Sequence, residues 1–464
     1  MKTKIKKGNV AVIAIIVIIV AITIVVIGRM FVVKIQKPVE QVIVATQSNV
    51  PVDKDAPLQQ PDTNKQKATG WNIIGQDTFS PNGAGANAVS AIDQKDGFPV
   101  VLFRNEEIPF LGGAMLMKFD GAKWKIVGDG NIPNNKGNRI NSETVDSLSV
   151  VSNLFDGNIY TAFGDSVAGN RDDDNGFDVL NGRGIVMKFD GNKWEMVGGK
   201  PFDENYIFGT YLSMSFNPAS KHLYIAYFKE YGNQRYLFVK KFDGENWKDV
   251  GSQLVSSQVN PEKDFKYSNV VFDDENSQPY LAYTNDIKGG KIYILHFENS
   301  GKWVKEAITP PTEGIQLTDI FLNFNQKKRQ LILSYDYLIE NSNAFGLSLK
   351  TNVMSFDGTS FNRIATVPYN EKDFVSLIRR KNDPSSGDLY IAYAKGNNVA
   401  SKCISIIKYS NDNWKDIASP YCFDNSNVYL LDFVIDNTGS PILIYNDPVI
   451  EAYKLRAVKF FENK

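Results

Sequence analysis

The sequence predicts an all-β fold, a closed ring of seven four-stranded antiparallel sheets, preceded by one membrane-crossing helix. Three observations predict it. All six tryptophans sit at one position of a recurring unit. Each unit holds four short runs of strand character. The two ends of the array are half-units that complete each other.

The unit reads Phe-Asp-Gly-x-x-Trp-x-x-Val-Gly in its cleanest copies. Phe119, Asp120 and Gly121 lead to Trp124 and Gly128; Phe189, Asp190 and Gly191 lead to Trp194 and Gly198; Phe242, Asp243 and Gly244 lead to Trp247 and Gly251. Looser copies end at Trp303, Phe361 and Trp414. From Trp71 onward the aromatic positions are spaced 53, 70, 53, 56, 58 and 53 residues apart. The period is therefore about 53 residues, with one insertion of about 17, and self-similarity of this kind outranks local propensity as a fold signal. Trp71 and Gly75 form a back half with no front; Val458, Lys459 and Phe460 form a front half with no back.

Within a unit the runs are rich in Val, Ile, Tyr and Phe and are bounded by Asp, Asn, Gly and Pro, the strand-and-turn signature. In the fourth unit they are 267–274, 279–286, 291–298 and 303–308. The second run carries a small residue before an aromatic one: Ala162-Phe163, Ala226-Tyr227, Ala282-Tyr283, Ser334-Tyr335 and Ala392-Tyr393. Asp-Gly before the aromatic position supplies the left-handed backbone that a tight hairpin needs. Four strands in each of seven units make a seven-bladed β-propeller. Residues 71–75 are expected to serve as fourth strand of the last blade beside 453–461, leaving no open edge. Over 71–464 the chain resembles seven-bladed propellers such as kelch-repeat and sialidase-like proteins. The resemblance implies architecture, not activity. The Phe-Asp-Gly-x-x-Trp turn falls where sialidase-like propellers carry Ser/Thr-x-Asp-x-Gly-x-x-Trp, but one residue is missing here between Asp and Gly. The recurrent tryptophan is read as packing between neighbouring sheets, the alternative being a ring of sugar-stacking faces.

Four domains follow: a basic cytoplasmic tail (1–7), a transmembrane signal-anchor helix (8–33), a flexible stalk (34–70) and the propeller (71–464). Residues 10–27 are apolar except for Thr23. As a helix they span roughly 27 Å, close to the bilayer's hydrocarbon thickness. Lys2, Lys4, Lys6 and Lys7 precede them, which places the N-terminus in the cytoplasm and the propeller outside the cell membrane. A cleaved signal peptide is the alternative, but the apolar run is longer than the usual one. Pro38, Pro51, Pro57 and Pro61 among polar residues give the stalk its composition. Net charge is −1. Residues 1–37 hold seven of the 51 basic residues and no acid, so the remainder carries 44 against 52 acids, or −8. Such a body has no footprint for nucleic acid.

Cys403 and Cys422 are the two cysteines. A hairpin turning near Asn411 and Asp412 sets Cys403 opposite about residue 420, within reach of a disulfide. Two separate thiols remain the alternative.

Propeller topology sorts the connections by face. Turns between first and second strands, and between third and fourth, share a turn face. The remaining connections share a loop face, where the longer and unequal segments 129–146, 165–183, 199–210, 252–266 and 337–348 lie. Binding residues concentrate on such loops. The expected ligand-face residues are Arg104, Asp165, Glu230, Asp286, Asp336 and Asp447, as an acidic mouth for a cation or basic partner or as solvated charges. The insertion carries Asp172, Asp174 and Asp178 around Gly176, a carboxylate spacing that can wrap calcium, the alternative being a mobile acidic loop. No other cofactor is expected.

Catalytic motifs are sparse. His222 and His296 fall in different units, and no zinc, nucleophile-elbow or phosphate-loop motif occurs. The leading expectation is a membrane-anchored binding or scaffold module for protein or glycan, non-enzymatic. The alternatives are a sialidase-like glycan hydrolase or lyase, and a calcium-stabilised adhesion module.

Overall fold

The computed structural model describes residues 70–462 apart from 82–87, 109–110, 131, 133–144, 167–180, 208–211, 232–233, 252–253, 256–265, 285–290, 310–315, 341–346, 368–373, 384–386, 397–402, 411–412, 424–428 and 447–453. The chain divides into two units, Met1–Lys65 and Gln66–Lys464, and the ring belongs to the second. The apolar segment 10–27 and most of the stalk lie outside the described residues. Among the described residues no helix is long and apolar enough to cross a membrane.

Seven antiparallel sheets form the blades of a propeller. Blade 1 comprises Ala88–Ile92, Pro99–Ile108, Leu111–Phe119 and Trp124–Ile126; blade 2 Val145–Ser152, Ile159–Ser166, Asn181–Phe189 and Trp194–Met196; blade 3 Leu212–Phe216, Leu223–Tyr231, Gln234–Phe242 and Trp247–Asp249. In blade 4 the first strand is split, Lys266–Tyr267 and Val271–Phe272, before Pro279–Thr284, Tyr293–Phe297 and Trp303–Ile308. Blade 5 comprises Gln316–Asn325, Gln330–Glu340, Leu347–Phe356 and Phe361–Thr366; blade 6 Phe374–Asn382, Leu389–Gly396, Cys403–Ser410 and Asn413–Asp416. Blade 7 comprises Tyr429–Ile435, Pro441–Asn446 and Leu455–Phe461, and Gly70–Ile73 completes it. The closing register sets Trp71 opposite Phe460 and Ile73 opposite Val458, joining the two half-units.

The core lies between blades. Seven apolar clusters of buried residues each join two neighbouring sheets; across the closing joint, Phe103 and Met117 of blade 1 meet Ile442 and Ile444 of blade 7. The small–aromatic pairs of the second strands sit in this core, with Ala162, Phe163, Ala226 and Tyr227 fully buried. First strands of neighbouring blades touch and are tied by polar groups. Asp432 of blade 7 accepts both the backbone N–H and the hydroxyl of Ser90 in blade 1, at 2.7 and 2.8 Å. Ser149 accepts the N–H of Met214, and Asn269 that of Leu322, at the equivalent places.

The tryptophans form a second set of ties, around the outside. Each indole N–H of five tryptophans donates to a carbonyl of the preceding blade: Trp124 to Ile74 (3.0 Å), Trp194 to Val127 (3.2 Å), Trp247 to Val197 (3.1 Å), Trp303 to Val250 (2.7 Å) and Trp71 to Ser419 (2.6 Å). Four of those acceptors lie three residues past an earlier tryptophan, where the Val-Gly (or Ile-Gly) pair bends the outermost strand off the sheet. At the bend Gly75, Gly128, Gly198 and Gly251 all have φ between +77 and +80°. A Cβ on Gly128 would stand 2.7 Å from the Trp194 indole nitrogen, so the bend needs glycine for conformation and for close approach.

After the bend the chain returns to pair the upper part of the third strand. Phe79 N–H donates to Leu455, Ile132 to Ala114 and Phe202 to Gly184. This corrects the expectation that 199–210 and 252–266 are plain loops: Asp203–Ile207 pairs with the third strand of blade 2, and Leu254–Val255 with that of blade 3. A short fourth strand leaves half of its neighbour's hydrogen-bonding edge open, and the returning chain satisfies it. Blades 4 and 5 differ. Their fourth strands stay paired for six residues, past a one-residue bulge at Glu306 and at Ile364. The aromatic positions that follow them, Phe361 and Trp414, make no such bond. Phe361 has no side-chain N–H to donate, and the indole N–H of Trp414 is buried without a partner among the described residues.

The turn face has its own repeat. Each first strand ends on Asp or Asn: Asp93, Asn153, Asn217, Asp273, Asn325, Asp383 and Asp436. In six of these turns the side-chain oxygen caps a backbone N–H two or three residues on. The turn then passes through a positive φ, at Gly97, Gly157, Lys221, Ser277, Arg329, Gly387 and Gly439.

Candidate functional site

A cleft of about 490 Å³ opens on the turn face between blades 5 and 6. That is within the usual range for small-ligand sites. It lies at the one joint where a tryptophan is present and its ladder bond is not. One wall is the capped turn of blade 5, with Asn325, Lys327, Lys328 and Gln330; Ser355 and Ile364 of the outer strands continue it. The other wall is blade 6, with Gly387, Asp388, Lys408, Tyr409 and Ser410.

The floor is fixed. Asn323 donates its side-chain amide to the Gly387 carbonyl at 2.9 Å, and Asn325 reaches the same oxygen at 3.4 Å. A Cβ on Gly387 would come within 3.0 Å of the Asn325 Cα, and its φ is +70°, so the blades meet here on a glycine. The Lys328 N–H donates to the Asn325 side chain at 3.0 Å, which fixes the turn that presents Lys327 and Lys328. Lys408 pairs with Asp388 at 2.8 Å and lies 5.0 Å from the centre of the Tyr390 ring. Burial pulls the Lys408 ammonium pKa down, but Asp388 and Tyr390 together more than offset it and hold the group above its ordinary value. The ring of Tyr409, which lines the cleft, packs against Trp414 at 5.1 Å between centroids.

The site therefore sits on the face opposite the one the loop lengths pointed to. Of the expected ligand-face residues, Arg104 is half-buried in the second strand of blade 1, opposite Ala114. Asp165 and Glu230 occupy register positions opposite Arg183 and Arg235, with only their backbone described. Asp286 and Asp447 lie outside the described residues, as do Asp172, Asp174 and Asp178. Asp336 departs from the expectation. It is buried at 2% exposure, ion-paired with Arg380 of blade 6, and accepts a hydrogen bond from Thr351. Burial raises its carboxyl pKa and Arg380 opposes the rise, so the pair serves as an internal joint rather than a mouth. Arg380 also reaches Asp319 at 3.0 Å and Ser334 at 2.7 Å.

Cys403 and Cys422 are joined in a disulfide, with Cα atoms 4.0 Å apart. They face each other across the third strand of blade 6 and the returning segment Tyr421–Cys422. The hairpin register Tyr409↔Trp414 would set Cys403 opposite residue 420, and the outward detour between Asp416 and Tyr421 moves the partner two places on.

His296 is mostly buried on the turn-face side of blade 4. Its Nδ1 lies 2.5 Å from Glu306 and its Nε2 lies 3.6 Å from Glu298. Tyr280 stands 6.0 Å away, ring to ring. His222 is half-buried at the turn after the first strand of blade 3. Among the described residues no group of three or more His, Cys, Asp or Glu side chains converges as a metal site.

No protein-family model matches the sequence, and no curated protein does. The fold does have solved neighbours. An ulvan lyase, a polysaccharide lyase solved with -[GlcA(1-4)Rha3S]- bound, aligns at TM-score 0.52 and 12% identity over 82% of this chain and 94% of that one. The fucose-binding complex of Aleuria aurantia lectin with α-methyl-L-fucoside aligns at 0.42 and 12% over 72% and 93%. A Streptococcus pneumoniae sialidase aligns at 0.40 and 12% over 84% and 70%. At these identities the likeness is one of fold.

Proposed function

We propose that this chain is a glycan-binding propeller held outside the cell membrane by its N-terminal apolar segment. The observation that carries the reading is the cleft between blades 5 and 6. Its floor is tied by side-chain hydrogen bonds, it is of ligand size, and its walls offer ammonium, amide and hydroxyl groups from capped turns and strand ends. Sugars are recognised by such dense polar groups on a preformed surface. The apolar run 10–27 and its preceding lysines support the tether. A glycan array probed with the full chain in detergent tests the reading. Binding that is lost on blocking the cleft with Ser410→Trp, in a folded variant, is expected. Uniform failure to bind sugars would overturn it.

A second reading, cleavage of the bound glycan, is favoured by His296. An imidazole set between Glu306 and Glu298 beside a tyrosine is a proton-transfer set, which β-elimination and glycoside hydrolysis both use. The ulvan lyase shows that a ring of this kind can host such chemistry. A fluorogenic glycosidase panel, together with ultraviolet detection of unsaturated uronate, separates the readings: turnover abolished by His296→Ala would make the chain an enzyme.

A further inference from the structure

We propose that the ligand of the cleft between blades 5 and 6 is an acidic glycan, one whose carboxylate or sulfate groups are read by Lys327, Lys328 and Lys408. The proposal rests on the glycan-binding reading and names its ligand class.

Charge is the first ground. The chain beyond residue 37 carries 44 basic against 52 acidic residues, yet among the described residues the cleft is lined by three lysines and one acid, Asp388, which pairs with Lys408. A local patch opposite in sign to the body around it attracts ligands of the body's own sign to that place. The neighbouring Arg329 does not add to it, being turned to blade 4, where it pairs with Asp273 at 2.6 Å and Glu275 at 3.0 Å.

Preorganisation is the second. Lys327 and Lys328 stand on a turn locked by the Asn325 cap and by the φ of +51° at Arg329. Lys408 rises from the end of a central strand, already desolvated in part and kept charged by Asp388. Three cations held on two rigid blades lose little freedom when an anion arrives.

The break in the tryptophan ladder is the third. At five joints the indole N–H meets a carbonyl of the preceding blade; at this joint the preceding strand stays paired to its sheet past a bulge at Ile364, and the Trp414 N–H is buried with no acceptor among the described residues. A buried unpaired donor is costly unless something satisfies it. Trp414 does not itself line the cleft, but its ring packs on Tyr409, which does, so the unpaired indole lies directly behind the cleft wall.

The test is isothermal titration calorimetry on the full chain in detergent with three probes: oligogalacturonate, dextran sulfate oligosaccharide and a neutral maltooligosaccharide. The acidic probes should bind and the neutral one should not. The double substitution Lys327→Gln and Lys408→Gln should weaken binding by about tenfold or more, the equivalent of one charge-assisted hydrogen bond. Lys221→Gln, on the turn of blade 3, should leave it unchanged, and circular dichroism confirms that both variants fold. Equal binding of neutral and acidic probes, or unchanged affinity in the double variant, overturns the acidic-ligand proposal and leaves glycan binding standing. Absence of binding by every glycan on the array overturns the glycan reading and this proposal with it.

Discussion

The indole N–H of Trp124 donates to the carbonyl of Ile74 at 3.0 Å, across the joint between the first and last blades. Residues fifty positions apart thereby fasten the ring where it closes. The same bond recurs at four other joints; at three of them the acceptor, Val127, Val197 or Val250, lies just past an outer strand where the chain bends away from its sheet.

Trp124→Phe keeps most of the packing and removes the donor, leaving the Ile74 carbonyl unpaired in a buried joint. The expected loss is about 1–3 kcal/mol in urea denaturation. Trp414→Phe should cost clearly less, because its N–H has no protein acceptor to lose. Equal losses at the two positions would show that the ladder bond contributes nothing.

Gly128→Ala combines two penalties. Its φ is +80°, and the new methyl would meet the Trp194 indole at 2.7 Å. A loss of about 1–3 kcal/mol is expected from conformational strain alone. A thermal melt unchanged from wild type would show that the outer strand can straighten at no cost.

The disulfide closes a separation of 19 residues in the last turn of blade 6. Chain-entropy reasoning gives about 3 kcal/mol for a loop of this size. Cys403→Ser with Cys422→Ser should lower the melting temperature, as should reduction of the native chain. Non-reducing peptide mapping should recover the two cysteines in one linked peptide.

Acid should loosen the hairpins between third and fourth strands. The Asp190 carboxylate accepts the backbone N–H groups of Lys193 and Asn192, and that of Asp357 accepts those of Ser360 and Thr359, holding both pKa values below the ordinary range. Asp120 and Asp243 are lowered chiefly by Lys125 and Lys248, with backbone N–H groups adding to the effect. A depressed folded pKa means that the stabilisation is present above the unfolded value, about 3.9, and is lost as pH falls from there through the folded value. Stability should therefore decline below about pH 4. The variant Asp190→Asn with Asp357→Asn should show a shallower decline; an unaltered acid profile would remove these turns from the account.

The ring was legible because its determinants are local and periodic. The Phe-Asp-Gly turn, the aromatic start of the fourth strand and the split unit at Trp71 and Phe460 each have a sequence signature. So did the reach of Cys403 toward Cys422, since hairpin register follows from turn position. The cleft was not legible. It depends on the outer strand of blade 5 staying paired to its sheet, and a cavity is a property of what neighbouring blades fail to fill. A partial signal was present: the stretches after Trp303, Phe361 and Trp414 all lack the Val-Gly that bends the other strands, and only the last of them leaves its sheet early. Asp336 misled because a carboxylate late in a strand reads like a loop acid, and its partner Arg380 lies 44 positions away in another blade.

Indole resonances provide the most direct test of the claim that the joint between blades 5 and 6 is the binding site. In the nitrogen-15 spectrum of the labelled full chain, six indole N–H signals are assigned by single Trp→Phe variants. On saturation with the acidic oligosaccharide that binds most tightly, the Trp414 signal should shift while those of Trp71, Trp124, Trp194, Trp247 and Trp303 hold still. Saturated binding that leaves Trp414 in place, or moves another tryptophan instead, would contradict the account.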